Sequence, residues 1–228
     1  MANISTEIQV WFLRHGKTPF NYENNQYDDF IQMLCNGYST PLAEDPGIDF
    51  KSLPKRVDLI GYSPTTRAIE TAEVLRKKLD VKQMEELEFL HEVKFDRDII
   101  LPQEYTSLAE NRKDILERWY SNRNTAEVFE YSLARVRTIE SFLSERWEKT
   151  IILITHGWFL RLLELYFVQG KHTDITIEDV LKVKPVPLGH CIKTTVARKS
   201  RVESRMDLLG TEDHHKGQRV DHPAGKHQ

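Results

Sequence analysis

Three short segments of the chain combine histidine and arginine residues in a pattern that suits phosphate chemistry. They are Arg14-His15-Gly16-Lys17-Thr18, Ser63-Pro64-Thr65-Thr66-Arg67 and Thr155-His156-Gly157. Guanidinium groups match phosphate oxygens in geometry and charge, and a neutral imidazole can attack phosphorus. Because neighbouring cations disfavour protonation of a histidine, we expect His15 to be neutral at pH 7, with a lone pair on one ring nitrogen. These residue types predict a pocket in which two imidazoles and two guanidiniums surround one phosphoryl group.

A carboxylic acid is the remaining requirement, because the leaving alkoxide of a phosphomonoester needs a proton. Four glutamates occur close together, at Glu85, Glu86, Glu88 and Glu92. We expect the earlier ones to form a solvated charge run, whereas Glu92 lies where a short predicted strand ends. A bound phosphate dianion would raise the proton affinity of a nearby carboxyl group. Glu92 is therefore the predicted general acid, and Glu88 is its main alternative.

Alternating strands and helices are predicted around these segments. Runs of apolar residues and strand formers predict strands at residues 8–13, 57–62, 84–90, 150–155 and 191–197. Helical spacing of apolar residues predicts helices at 29–35, 64–79, 107–121, 125–147 and 158–168. Ser63 is expected to cap the second helix, with Pro64 in its first turn. The alternation predicts an α/β fold, a three-layer α/β/α sandwich with a mostly parallel central sheet.

In a sheet of this class, ligands bind at the carboxyl edge of the strands, and all three segments would converge on that edge. Helix N-termini at this edge present free N–H groups and partial positive charge, which suits an anion. The expected partner is therefore a small phosphorylated substrate or a phosphate ion.

The overall charge excludes a general affinity for polyanions. The 228 residues include 32 Lys and Arg against 35 Asp and Glu, a formal net charge of −3. Neither nucleic acid nor a membrane surface is expected to bind, and any affinity for phosphate must be local. The most apolar stretch, residues 151–168, is interrupted by His156, Arg161 and Glu164, so we interpret it as a buried strand and helix instead of a membrane span.

One globular domain is predicted over residues 1–197, followed by a polar tail at 198–228 that we expect to be solvated and mobile. The two cysteines, Cys35 and Cys191, are far apart and lack metal-binding spacing. Together with a start that lacks the pattern of a signal peptide, this favours a reducing, cytoplasmic location.

Several motifs resemble those of the histidine phosphatase superfamily, the phosphoglycerate mutase-like group. Arg14-His15-Gly16-Lys17-Thr18 followed by Asn21 resembles the family signature RHG-x-[ST]-x-x-N. The resemblance continues in Gly37 with Pro41-Leu42, in Ser63-Pro64 with Arg67-Ala68 and Thr71-Ala72, and in Thr155-His156-Gly157. The pieces follow the family's order over about residues 8–197, and an ordered set of motifs is far more specific than any one of them.

The resemblance implies three catalytic residues. His15 would be the nucleophile that becomes phosphohistidine. His156 would be the second pocket histidine, which hydrogen-bonds the phosphoryl group during transfer. Glu92, in Leu90-His91-Glu92, would first protonate the leaving group and then activate water. Because the family performs this chemistry without a metal or a cofactor, neither is expected.

The same resemblance implies a phosphate-binding set. Arg14 and Arg67 would bind the phosphoryl oxygens, while Thr18 and Asn21 would line the pocket near the phosphate. Gly157 would allow a close approach of the backbone.

Two features depart from the family pattern. After Glu92 the chain reads Val93-Lys94-Phe95-Asp96, where family members commonly carry an aromatic residue and glycines. The stretch after Asn21 is also longer than usual, so residues 22–50 are expected to contribute to the mouth of the substrate site.

The resulting expectation is a metal-independent phosphomonoester phosphatase. Three alternatives remain open from the sequence: a mutase that returns the phosphoryl group to the product, a metallohydrolase that uses His15, His156 and Glu92 as ligands, and a non-catalytic phosphate-binding regulatory module. The sequence indicates neither the identity of the substrate nor the oligomeric state.

Overall fold

The computed structural model of the protein describes residues 7–20, 26–36, 40–123 and 125–198. Five strands form one sheet: β1 (Glu7–Arg14), β2 (Arg56–Tyr62), β3 (Asp80–Glu86), β4 (Thr150–Thr155) and β5 (Cys191–Ala197). Their spatial order is β3-β2-β4-β1-β5, and β5 alone pairs in the antiparallel direction. The predicted α/β fold with a mostly parallel sheet is confirmed.

Helices cover both faces of this sheet. They are α1 (Tyr27–Asn36), α2 (Thr66–Lys78), α3 (Leu108–Tyr120), α4 (Phe129–Ser144), α5 (Gly157–Leu163) and α6 (Ile177–Lys182). Single 3₁₀ turns occur at Phe50–Ser52 and Glu88–Leu90, and α5 continues into a π-helical turn at Glu164–Val168. Within the described ranges, the structure contains no helix that is both long enough and apolar enough to cross a membrane.

The apolar core is divided by the sheet into two parts. In β1, Val10 and Phe12 face one part, while Trp11 and Leu13 face the other, as the two-residue period of a strand requires. Helix α2 covers the smaller part, and the larger part is covered by α1, α3, α4 and α5. Strands buried on both faces read as continuous apolar runs, which is why the central strands could be located from the sequence.

The predicted start of the second helix was wrong by two residues. Helix α2 begins at Thr66, and Thr65, with extended backbone angles, is its N-cap. The hydroxyl group of Ser63, predicted to cap the helix, lies 2.8 Å from Nε2 of His156. Ser63 therefore contributes to the site at the strand edge and not to the helix end.

The chain between β2 and α3 also differs from the prediction. The strand predicted at residues 84–90 is β3 at Asp80–Glu86, paired with β2. Leu87 and Leu90 are buried in the core, and a 3₁₀ turn separates β3 from Glu92. The acidic residue therefore lies on a loop beyond the turn instead of at the end of a strand.

The structure also differs from the prediction in two of its helices. The helix predicted at 125–147 is α4, which is shorter at both ends, and α6 was not predicted. Residues 199–228 lie outside the described residues, so the tail and the domain boundary at residue 197 remain predictions.

Candidate active site

Parallel pairing of β1 with β4 brings the two histidines together. Arg14 is the register partner of Thr155, so the residues that follow these strands, His15 and His156, emerge side by side. Their ring centroids are 5.1 Å apart. The backbone N–H of His15 donates to the carbonyl of Thr155 at 3.0 Å, which fixes the loop after β1 against β4. Strand β2 pairs with the other edge of β4 and delivers Arg67 through the start of α2.

The hydrogen bonds of His15 determine which ring nitrogen carries the proton. Nδ1 lies 2.8 Å from the carbonyl oxygen of Gly16, and because that oxygen can only accept, Nδ1 is the protonated nitrogen. Nε2 accepts a hydrogen bond from Nε of Arg67 at 3.1 Å. Burial, followed by the positive charges of Arg67 and Arg14, holds the pKa of His15 well below its usual value. The imidazole is neutral, with its lone pair on Nε2.

The loop that carries His15 is held close to α2 and to a neighbouring loop. The backbone N–H of Gly16 donates to Oγ1 of Thr71 at 3.0 Å, and this hydroxyl donates in turn to the carbonyl of Arg67 at 2.6 Å. A Cβ atom at position 16 would lie 2.9 Å from Cβ of Pro46, closer than packed carbons approach. Glycine is therefore required here because of the close approach, and Thr71 links the loop that carries His15 to α2, the helix that supplies Arg67.

His156 lies behind Arg67. Its side chain is fully buried, and Nδ1 accepts from Nη2 of Arg67 at 3.0 Å. Nε2 therefore carries the proton and donates to Oγ of Ser63. Burial, then the charge of Arg67, lowers the pKa of His156 well below its usual value. Among the described residues, the ones that line the cavity do not include His156, which reaches the site through the guanidinium of Arg67.

Glu92 places its carboxyl group at the start of α5. The carboxylate accepts hydrogen bonds from the backbone N–H groups of Val93, Trp158 and Phe159 at 3.0, 3.1 and 2.9 Å. Burial raises the pKa of Glu92 and outweighs these three donors and the charge of Arg67, which act in the opposite direction. Glu92 lines the cavity, whereas the alternative residue, Glu88, is exposed on the 3₁₀ turn and does not line it. The geometry favours Glu92 as the acid.

A buried ion pair supports the segment that carries Glu92. Nη1 of Arg135, on α4, donates to the carbonyls of His91 and Phe89 at 2.7 and 3.1 Å, while Nε donates to Glu127 at 3.1 Å. Arg135 and Glu127 are each 4% exposed. The sequence did not indicate this pair, because two charged residues eight positions apart near the start of a helix are typical of a solvent-exposed surface.

Gly157 packs against the guanidinium of Arg14 at the edge of the site. Nη1 of Arg14 donates to the carbonyl of Val186 at 2.8 Å. A Cβ atom at position 157 would lie 3.0 Å from Cζ of Arg14. The absence of a side chain at Gly157 therefore leaves room for the Arg14 guanidinium, which is a more specific reason for glycine than the expected close approach of the backbone.

Of the other two predicted phosphate ligands, only Thr18 lies among the described residues. Thr18 is buried, but it is not among the described residues that line the cavity, and its hydroxyl has no hydrogen-bond partner within the described ranges. Asn21 lies outside the described residues, and so does Gly37 of the resemblance.

A cavity of about 100 Å³ opens beside these groups. Its lining, as far as the chain is described, contains the single carboxyl group of Glu92 and five cationic side chains: Arg14, Arg67, Lys94, Arg112 and Arg161. The last three were not predicted as site residues. Arg161 was noted only as an interruption of an apolar stretch interpreted as buried; it is 5% exposed and donates to the carbonyls of Val180 and Val183. The spacing of apolar residues in this helix could not show that Arg161 lines a cavity.

The described residues contain no group of three or more His, Cys, Asp or Glu side chains arranged to hold a metal ion. The metallohydrolase alternative also conflicts with the local charge. Arg67 donates to both imidazoles, so a divalent cation between His15 and His156 would lie against a guanidinium. This donor set suits an anion.

Comparison with known proteins agrees with these features. Residues 10–176 match the family model of the histidine phosphatase superfamily (branch 1). No curated protein matches the sequence.

Solved structures share the fold at low sequence identity. A putative alpha-ribazole-5'-P phosphatase from Escherichia coli superposes with a TM-score of 0.54 at 18% identity, covering 84% of this chain and 95% of that one. A mycobacterial glucosyl-3-phosphoglycerate phosphatase gives a TM-score of 0.56 at 15% identity, covering 83% and 90%. A phosphoglycerate mutase from Bacillus anthracis gives 0.50 at 20% identity, covering 75% and 84%.

Proposed function

Because the chain belongs to the histidine phosphatase superfamily, we propose that it is a metal-independent phosphatase that hydrolyses phosphomonoesters through a phosphohistidine at His15. One observation carries the proposal. His15 is a neutral imidazole whose Nδ1–H is bonded to a carbonyl, so its lone pair is on Nε2, in a cavity that also presents Arg14 and Arg67.

In the first step, Nε2 of His15 attacks phosphorus, and the bond between phosphorus and the leaving oxygen breaks. The phosphoryl oxygens bind Arg14 and Arg67, which stabilise the charge that spreads over them in the transition state. As the substrate binds, the N–H group at Nε of Arg67 exchanges its hydrogen-bond acceptor: it donates to a phosphoryl oxygen instead of to Nε2 of His15. Arg67 keeps its proton throughout. The carboxylic acid of Glu92 donates its proton to the leaving oxygen, so the alcohol departs neutral.

In the second step, the carboxylate of Glu92 takes a proton from a water molecule while the water oxygen attacks phosphorus. The phosphorus–nitrogen bond breaks and its electron pair returns to Nε2 of His15. Inorganic phosphate leaves, and Glu92 regains the proton that it needs for the next cycle. The hydrogen bond from Nδ1 to the Gly16 carbonyl stabilises the positive charge on the phosphorylated ring.

Phosphate release from a panel of phosphomonoesters tests this proposal. We expect release by the wild-type protein, with full activity after exhaustive chelation of divalent ions, and a loss of at least about a thousandfold in His15→Ala. His172→Ala is the matched control, since His172 is an exposed histidine that contacts Tyr166. Release by His15→Ala at the wild-type rate would refute the role of His15.

The same assay separates the alternatives. A chelator-sensitive activity restored by one divalent ion would indicate a metallohydrolase. Transfer of the phosphoryl group to a second hydroxyl of the substrate, without release of phosphate, would indicate a mutase. A folded protein that binds phosphate and turns over no substrate would be a regulatory module.

A further inference from the structure

The cavity carries more positive charge than one phosphoryl group requires. Arg14 and Arg67 already flank His15, and three further cations come from three separate places in the fold. Lys94 is on the loop that carries Glu92, Arg112 is on α3 and Arg161 is on α5. This concentration occurs in a chain whose formal net charge is −3. The positive charge is therefore local to this cavity.

Arg161 is held by two backbone carbonyl groups and is affected by the charges of two other arginines. It is almost fully buried, and its guanidinium donates to the carbonyl oxygens of Val180 and Val183, which are neutral acceptors. Burial, then the charges of Arg112 and Arg14, lowers the pKa of Arg161 to about 10. The charges of Arg112 and Arg14 thus disfavour the charged form of Arg161, and an anion bound beside Arg161 would offset that effect.

Arg112 has no partner in the described part of the chain. Arg112 lines the cavity, and its side chain forms neither a hydrogen bond nor an ion pair with a described residue. Another arginine of the same helix, Arg118, behaves as a structural residue does: it forms an ion pair with Glu104 at 3.0 Å and donates to the carbonyl of Ile99 at 2.9 Å. A half-buried arginine that faces a cavity and a second guanidinium without a carboxylate partner is the arrangement of an anion-binding group.

The sole carboxyl group of the described lining, that of Glu92, forms no ion pair with Arg112 or Arg161. It is held instead by three backbone N–H groups at the start of α5. Its proposed role as proton donor needs it close to the leaving oxygen. An anionic group on the leaving part of the substrate would then lie on the same side of the reacting phosphorus as Glu92, within the part of the cavity that Arg112 and Arg161 also line.

We propose that Arg112, together with Arg161 and Lys94, forms a second anion subsite, and that the substrate is a small phosphomonoester with a carboxylate or second phosphate on its leaving group. This inference rests on the proposed function, because it assigns the reacting phosphoryl group to His15, Arg14 and Arg67. The cavity that would hold both groups has a volume of about 100 Å³.

Pairs of substrates that differ in one anionic group test the subsite. 3-Phosphoglycerate and glycerol 3-phosphate differ in a carboxylate against a hydroxymethyl group, and 1,3-propanediol bisphosphate and 3-hydroxypropyl phosphate differ in a second phosphate. For the wild-type protein we expect kcat/KM to favour the anionic member of at least one pair by about tenfold or more. The pair with the larger ratio identifies the anion.

Variants assign that preference to Arg112. In Arg112→Gln the ratio should fall to about threefold or less, and Arg112→Lys should retain part of it, because the charge remains while the planar fork is lost. Lys113→Gln is the matched control: it removes a charge from the next residue of α3, whose side chain is 67% exposed and pairs with Glu117. Its ratio should stay at the wild-type value. A wild-type ratio near one in both pairs, or a ratio that survives Arg112→Gln, would overturn the subsite.

A binding measurement separates this inference from the proposed function. In the substrate pair that gives the larger kinetic ratio, we expect His15→Ala protein to bind the anionic member more tightly than its partner by calorimetry, and the added Arg112→Gln substitution to abolish the difference. That result supports the subsite independently of turnover, whereas equal affinities, or no binding of either compound, would refute it. His15-dependent release of phosphate without any preference between the paired substrates would refute the subsite and leave the proposed function intact.

Discussion

Removal of the guanidinium of Arg135 should destabilise the protein and misplace Glu92, and the two effects can be separated. Arg135 donates to the carbonyls of His91 and Phe89 and to the carboxylate of Glu127, which is itself almost fully buried. In Arg135→Met, Glu127 would keep its hydrogen bond from Ser132 but lose its counter-charge. A buried ion pair that loses one partner costs about 3–5 kcal/mol, and we expect the free energy of unfolding to fall by that amount.

The double variant Arg135→Met/Glu127→Gln removes both charges and should recover most of the lost stability. It cannot restore the hydrogen bonds to the carbonyls of residues 89 and 91, so the loop that carries Glu92 stays less ordered. We therefore expect kcat to remain at least about tenfold below the wild-type value in both variants, because a small displacement of an acid group lowers the rate of proton transfer.

Urea unfolding and steady-state kinetics measure the two effects side by side. Arg137→Met is the matched control, since Arg137 is on the same helix, is exposed, and should change the free energy of unfolding by no more than about 0.5 kcal/mol. If the free energy of unfolding fell by less than about 1 kcal/mol in Arg135→Met, the ion pair would not be needed for stability. If the double variant had the wild-type kcat, Arg135 would not be needed to position Glu92.

The groups in the site lead to four further predictions. Burial lowers the pKa of His15 and of His156, so protonation of either side chain favours the unfolded chain. The contribution of each neutral histidine to the free energy of unfolding should be fully present above about pH 7 and should fall at lower pH by up to about 1.4 kcal/mol per pH unit. In His156→Gln, the free energy of unfolding should depend less steeply on pH. Glu92→Gln should lower kcat by about a hundredfold or more for an alkyl phosphate and much less for p-nitrophenyl phosphate, whose leaving group needs no proton; equal losses for the two would contradict an acid role. Wild-type activity on the alkyl phosphate should decline as pH rises past the raised pKa of this carboxyl group, since the acid must be protonated. Gly157→Ala places a methyl group 3.0 Å from Cζ of Arg14, so the Kd for inorganic phosphate should rise about tenfold by calorimetry, and an unchanged Kd would show that the guanidinium does not hold the anion.

The strand edge and the two histidines could be predicted from the sequence because the signals are local. The apolar run at 150–155 has few interpretations other than a buried strand, and the observed bounds of β4 and β5 agree with those predicted. Once parallel strands are expected, residues that follow them must share one edge, so His15 and His156 could be placed together before their distance was known.

The remaining parts of the site depend on contacts between distant segments. Arg112 and Arg161 are each part of a helix that the apolar spacing predicts, but spacing does not reveal that α3 and α5 line the same cavity. The Arg135–Glu127 pair is equally invisible, because its burial arises from the way α4 packs over the Glu92 loop. Ser63 was assigned to a helix cap since serine before proline is a common local signal, and the competing acceptor role toward His156 is a tertiary contact.

Chemical trapping of the intermediate is the sharpest test of a phosphohistidine at His15. The protein would be mixed with a phosphomonoester, quenched rapidly in alkali and digested, and the phosphorylated peptide would be sequenced by mass spectrometry. We expect one phosphoryl group on the imidazole of His15, stable in alkali and lost in acid. A phosphoryl group on any other residue, or its absence under conditions in which the protein releases phosphate, would rule this mechanism out.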